Sequence, residues 1–127
     1  MKVIALDFGS ARTGVAVSDE TGTLARPVGV VERAATGPGL ERLEALVAEH
    51  GAELVVVGMP LTLRGEHGEQ ARATDEFVQA LRGRLAVPVE TYDERFTTAL
   101  AIQSGGRAPE DAVAAAHLLQ GWLERAR

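Results

Sequence analysis

The sequence predicts an α/β protein, a mixed sheet with helices on its faces, and three observations carry that expectation. Three extended apolar segments follow one another at the N-terminus with only short turns between them. The run Leu54-Val55-Val56-Val57 is apolar without alternation, as in a strand covered on both faces. The segments flanking that run carry apolar residues at helical spacing. Three antiparallel strands followed by alternating helices and strands form a layered sheet. At 127 residues and 46% apolar composition, one domain over residues 1–127 is expected.

The first strand is the apolar run from Val3 to Leu6, which ends at Asp7. Val15 to Val17 follows after a glycine-bounded loop, so the two segments read as a hairpin with Asp7 at its exit. Leu24 to Val31 is a third extended segment, and Pro27 places it at a sheet edge or beside a bulge. Thr36-Gly37-Pro38-Gly39 breaks the chain before a helix whose stripe is Leu40, Leu43, Leu46 and Val47, closed by Gly51 after His50. The fourth strand, Leu54 to Val57, leads through Gly58-Met59-Pro60 into a loop that runs to Gly68. A second helix then carries Ala71, Val78, Leu81 and Leu85, flanked by Phe77. Val87 to Tyr92 is the fifth strand and delivers Asp93-Glu94-Arg95 at its exit. A helix from Phe96 through Ile102 is expected next, then a C-terminal helix with Pro109 as its first residue and Ala112, Ala115, Ala116, Leu119, Trp122 and Leu123 on its core face. The predicted order is βββαβαβαα.

Composition narrows the chemistry. There is no cysteine, which excludes disulfides, thiol catalysis and zinc–cysteine sites and leaves oxygen or imidazole as metal ligands. No apolar run is long enough to span a membrane, and Met1-Lys2 leads straight into a strand, so a cytoplasmic protein without membrane contact is expected. The formal net charge of −5 argues against coating nucleic acid through bulk charge, so any such contact must be a local patch. Lys2 is the only lysine; the other basic residues are arginines, whose planar fork matches phosphate oxygens.

A carboxylate at the end of a buried strand must be hydrogen-bonded, paired or bound to a cation. Asp7 is therefore the first candidate site residue. Glu94 leaves the fifth strand at the same sheet edge, where sites form in such folds. Asp111, in the first turn of the last helix, falls on the border of that helix's apolar stripe; complementing the helix dipole is its ordinary role. Three carboxylates on three elements would make an all-oxygen cage suited to Mg²⁺ or Mn²⁺. Two such ions about 4 Å apart can support phosphodiester hydrolysis. Other motifs lead nowhere: Asp7-Phe8-Gly9 lacks the remaining kinase loops, and Val15 and Ala16 stand where a P-loop needs Lys and Ser or Thr. A strand, Asp-x-Gly-Ser, hairpin and strand also open the actin-like and sugar-kinase ATPases, which are two-lobed; nucleotide binding in calorimetry would separate that reading.

Four blocks together resemble the YqgF family, also called RuvX, of RuvC-like resolvases. They are Ala5-Leu6-Asp7-Phe8-Gly9 through Arg12-Thr13-Gly14-Val15-Ala16-Val17-Ser18-Asp19; Val57-Gly58-Met59-Pro60-Leu61 with Gly65, Gly68 and Gln70; Asp93-Glu94-Arg95-Phe96-Thr97-Thr98; and Asp111-Ala112-Val113-Ala114-Ala115 with Leu118-Leu119-Gln120. The resemblance implies a ribonuclease H-like fold with strand order 3-2-1-4-5. It also implies a metal-dependent nuclease in which Asp7, Glu94 and Asp111 are the catalytic and metal-binding acids. On this reading Asp7 bridges two Mg²⁺ or Mn²⁺ ions and the other acids each complete one side. The family is assigned to 5′-end maturation of precursor 16S rRNA, and some members to Holliday-junction cleavage. Precursor rRNA is the expected partner and branched DNA the alternative, for a monomer or homodimer; a non-catalytic nucleic-acid-binding factor is the reading from another class. Many relatives carry a basic loop before the last acidic motif, where this chain offers a single arginine between Ser104 and Pro109. Arg12, Arg64, Arg95 and Arg107 lie in or beside the motif loops and are expected to contact phosphate; ordinary surface charge or ion pairing with a nearby acid is the alternative.

Overall fold

The computed structural model describes residues 1–61, 64–94 and 109–125. Five strands, β1 (Val3–Asp7), β2 (Arg12–Ser18), β3 (Ala25–Glu32), β4 (Leu54–Met59) and β5 (Val89–Asp93), form one sheet in the order β3-β2-β1-β4-β5. β1, β2 and β3 run antiparallel, whereas β4 and β5 join parallel to β1, so the sheet is mixed. Among the described residues three helices, α1 (Gly37–His50), α2 (Glu69–Arg82) and α3 (Glu110–Glu124), cover it.

Strand alternation splits the core into two layers. Ile4, Leu6, Val15, Val17, Val55 and Val57 pack with Leu43 and Leu46 of α1 and Phe77, Val78 and Leu81 of α2. Val3, Ala5, Ala16, Leu54 and Val56 face the other way, against Ala115, Ala116, Leu118, Leu119 and Leu123 of α3. β1 and β4 are thus buried on both faces, which explains why their sequences do not alternate. The small side chains Ala5, Ala16, Ala115 and Ala116 let α3 lie close to the sheet.

Pro27 lies in an edge strand, beside the register shift that separates Val15↔Gly29 from Ala16↔Pro27, so it costs the ladder little. Gly51 closes α1 at φ 62, the left-handed C-cap that its position predicts. α1 begins earlier than expected. Thr36 is the N-cap, its hydroxyl accepting from the Gly39 N–H at 3.3 Å, and Gly37-Pro38-Gly39 forms the first turn instead of a break. Pro109 likewise moves one place: at ψ 146 it is the extended residue preceding α3, whose first turn then starts at Glu110. β5 begins two residues after the predicted start, and Leu85 lies beyond α2 but packs against its core. The helix expected from Phe96 to Ile102 lies outside the described residues. Among the described residues no helix is long and apolar enough to cross a membrane.

Gln120 is a buried polar residue in the α3 core face. Its side-chain oxygen accepts from the Ala25 N–H at 2.9 Å, and its amide donates to the Thr23 carbonyl at 3.0 Å. These bonds satisfy the start of β3 and tie it to α3.

Candidate active site

Asp7 is the last residue of β1 and has the same parity as Val3 and Ala5, so it belongs to the α3 face. Its neighbours in the sheet at this level are both glycines. Gly14 of β2 is its antiparallel partner, and Gly58 follows Val57 of β4, the parallel partner of Leu6. Each glycine admits something from the next element. Glu94, immediately after β5, lies over Gly58: a Cβ there would stand 2.9 Å from both Cγ and Oε1 of Glu94 and 3.0 Å from Cδ2 of Leu118. Without that methyl group Glu94 reaches across β4 and hydrogen-bonds Asp7. On the other side, a Cβ on Gly14 would collide with the backbone carbonyl of Asp111, so this glycine sets how closely the first turn of α3 approaches the sheet.

Opposite Asp7 in the pleat, Phe8 turns to the other face and stacks on Phe77 of α2, with ring centroids 4.3 Å apart and planes 15° from parallel. Such a pair contributes about 0.5–1.5 kcal/mol beyond its area and pins the chain just past Asp7.

Two carboxyl groups in contact cannot both carry charge cheaply. Burial pushes the Glu94 carboxyl up to about 7 from its ordinary 4.5, helped by the hydrogen bond to Asp7 and the charges of Asp7 and Asp93. In its protonated form Glu94 is the donor of that bond and Asp7 the acceptor.

Asp111 sits at the same edge but is engaged elsewhere. Its Oδ2 pairs with Nε of Arg12 at 3.1 Å, with both side chains substantially exposed. Of the three predicted acids, two touch directly and the third is held by an arginine. Among the described residues no three acids or histidines are gathered closely enough to hold a metal ion. Arg12, expected on phosphate, is in this structure the ion-pair partner of Asp111, the alternative reading of such a loop arginine. Arg64 is exposed in the loop before α2. Arg95 and Arg107 lie outside the described residues, as do Thr97 and Thr98. His67 faces Asp75 at 3.8 Å on the surface. Trp122 packs against the core layer under α3 with the Arg125 guanidinium 4.0 Å above its ring, consistent with its expected packing role.

Gly14, expected to bound the loop before the second strand, and Gly58, expected to lead out of the fourth, both lie inside strands, β2 and β4. Their signal was available: a glycine inside a buried strand marks close approach by another group.

The donor set suits an oxygen-seeking divalent cation. Asp7 and Glu94 are two carboxyl groups in contact, and a cation between them would relieve the repulsion that raises the Glu94 carboxyl.

A mixed sheet of order 3-2-1-4-5 with acids at its carboxyl edge defines a ribonuclease H-like fold. RuvC of Thermus thermophilus, solved in complex with a Holliday junction substrate, superposes with a TM-score of 0.66, covering 99% of this chain and 95% of that one at 20% identity, a likeness of fold. The chain belongs to the RuvX family, whose model, described as Holliday junction resolvase, matches residues 1–125. A protein of Chloroflexus aggregans is 40% identical across 98% of this chain and 94% of its own length, and one of Rhodococcus erythropolis is 42% identical across 98% and 78%. Both bear the name "Putative pre-16S rRNA nuclease".

Proposed function

We propose that this chain is a divalent-metal-dependent nuclease that cleaves phosphodiester bonds of precursor 16S rRNA at its 5′ end, with Asp7, Glu94 and Asp111 as catalytic acids. The observation that carries this reading is the contact of Glu94 with Asp7 over Gly58, a half-buried acid pair at the edge where the fold places sites. The substrate follows from the relatives' name.

Asp7, Glu94 and Asp111 would hold Mg²⁺ or Mn²⁺, which when bound supplies charge neutralisation at the phosphate and acidifies water. The chain's own contribution is positional. Gly58 and Gly14 leave space for the acids, and the Phe8–Phe77 stack fixes the backbone beside Asp7. Glu94 would hold a cation as the carboxylate, and Arg12, now paired with Asp111, is the guanidinium that would turn to a phosphate oxygen of the substrate. Arg64, Arg95 and Arg107 are assigned to further phosphate contacts.

The test is incubation with end-labelled precursor rRNA, linear RNA and a four-way DNA junction in Mg²⁺ or Mn²⁺, beside Asp7→Asn. Cleavage of precursor RNA that disappears in the variant is the expected result. Cutting of the junction alone would transfer the assignment to branched DNA, the substrate that the family's description names. Absence of metal-dependent cutting on all three would leave a binding factor.

A further inference from the structure

We infer that the groove between the carboxyl end of β3 and the first two turns of α1 holds a backbone phosphate of the RNA strand, with Arg33 and Arg42 as its ligands. The inference rests on the nuclease reading for its substrate and on separate residues for its site. The groove encloses about 560 Å³ and is lined by Val31, Glu32, Arg33, Thr36, Gly39 and Arg42, among others. Its charged lining groups are two guanidiniums against one carboxylate. That local excess is positive in a chain whose formal net charge is −5.

Arg33 forms no ion pair among the described residues and is exposed. Among the described residues Arg42 pairs with Glu49 alone, at 3.2 Å and with both side chains more than half exposed, a contact too weak to hold it against a phosphate. Glu32, the one carboxylate of the lining, stands opposite Arg12 across β2 and β3.

Position links the groove to the acids. The Arg33 N–H donates to the Ala11 carbonyl at 3.0 Å, in the loop that begins at Asp7. The groove and Asp7 share one edge of the sheet, two strands or about 10 Å apart across it, but lie on opposite faces, the groove beside α1 and Asp7 on the α3 side. The phosphate that the groove would hold therefore belongs to RNA that passes over that edge away from the scissile bond. Arg33 also adopts φ 47, the one positive φ of a non-glycine residue among those described. Its carbonyl accepts from the Thr36 N–H and hydroxyl at 3.0 and 2.7 Å, and a Cβ on Gly39 would collide with it. The backbone that carries the guanidinium is therefore held from several sides.

The test measures binding of a labelled single-stranded RNA covering the precursor 5′ end to Asp7→Asn protein, over about 50 to 200 mM salt. Each phosphate neutralised on a single strand contributes about 0.7 to the slope of log K against log salt, so adding Arg33→Asn and Arg42→Ala, which removes both ligands of this one phosphate, should lower it by about 0.7. Asparagine keeps the left-handed backbone accessible, and Arg33→Lys should restore part of the slope. Arg26→Ala, at the opposite end of β3, removes one charge outside the groove and should leave the slope nearly unchanged. An unchanged slope in the double variant, with RNA still bound by Asp7→Asn, would overturn the groove and leave the nuclease reading intact. Equal loss from Arg26→Ala would reduce the effect to bulk charge and also overturn it. A change seen only with a four-way DNA junction would overturn the assignment to RNA, and no binding of either nucleic acid would defeat both readings together.

Discussion

Gly58 makes the acid pair possible, because Glu94 approaches from β5, one strand beyond β4, and any side chain on the intervening residue stands in its path. The atoms that a methyl group would meet are the ends of flexible side chains, Glu94 and Leu118, so the fold can give way while the site cannot. We expect Gly58→Ala to remain folded, losing no more than about 1–2 kcal/mol. Cleavage should fall by about 100-fold, the scale of a misplacement near 1 Å. Parallel denaturation and single-turnover measurements check this, and equal loss of stability and rate would remove Gly58 from the site.

At the scale of elements, the site depends on how α3 docks. α3 carries Asp111 at its start and is held along its length by the alanine-lined layer against β1 and β2, and by Gln120 bonded to the beginning of β3. Gly14 sets its height above the sheet by meeting Asp111 through backbone, which cannot swing aside. Gly14→Ala should therefore lift the helix end, and the cost should appear in stability as well as rate: about 1–3 kcal/mol, read as a lower denaturant midpoint with an unchanged slope. A variant as stable as the parent would mean that the helix end is free to adjust. The Arg12–Asp111 pair belongs to the same junction and is solvent-exposed, so its own contribution is small.

Across the whole molecule, the acid pair makes stability depend on pH. Below about 4.5 Glu94 is protonated whether the chain is folded or not, and its contribution is fully present. As pH rises toward 7 the unfolded chain releases a proton that the folded protein keeps, so stability falls until the folded-state value of about 7 is passed. Glu94→Gln removes that loss. In chelator at about pH 8 it should stabilise the protein by about 1–2 kcal/mol, discounted for partial exposure, and the advantage should vanish below about pH 4.5. Thermal melts across this range test it; an advantage independent of pH would point to packing instead of charge.

Much of this architecture is legible in local sequence because local physics decides it. Unalternating Val and Leu runs imply strands covered on both sides, the 3.6-residue stripes imply which helix faces are buried, and Gly51 implies a left-handed cap. Asp7 and Glu94 were identifiable as acids at strand exits for the same reason. The shifts at Thr36 and Pro109 show where local signals run out, since a proline suits the residue before a helix or its first turn about equally well. What the sequence by itself determined is the kind of element, its buried face and the acids that end the strands. Only the tertiary structure decided that Gly14 and Gly58 flank Asp7, that Glu94 crosses one of them, and that Asp111 is held by Arg12. The physical reason is that these contacts join residues distant in the chain, and strand order and register, which no local pattern encodes, determine who meets whom.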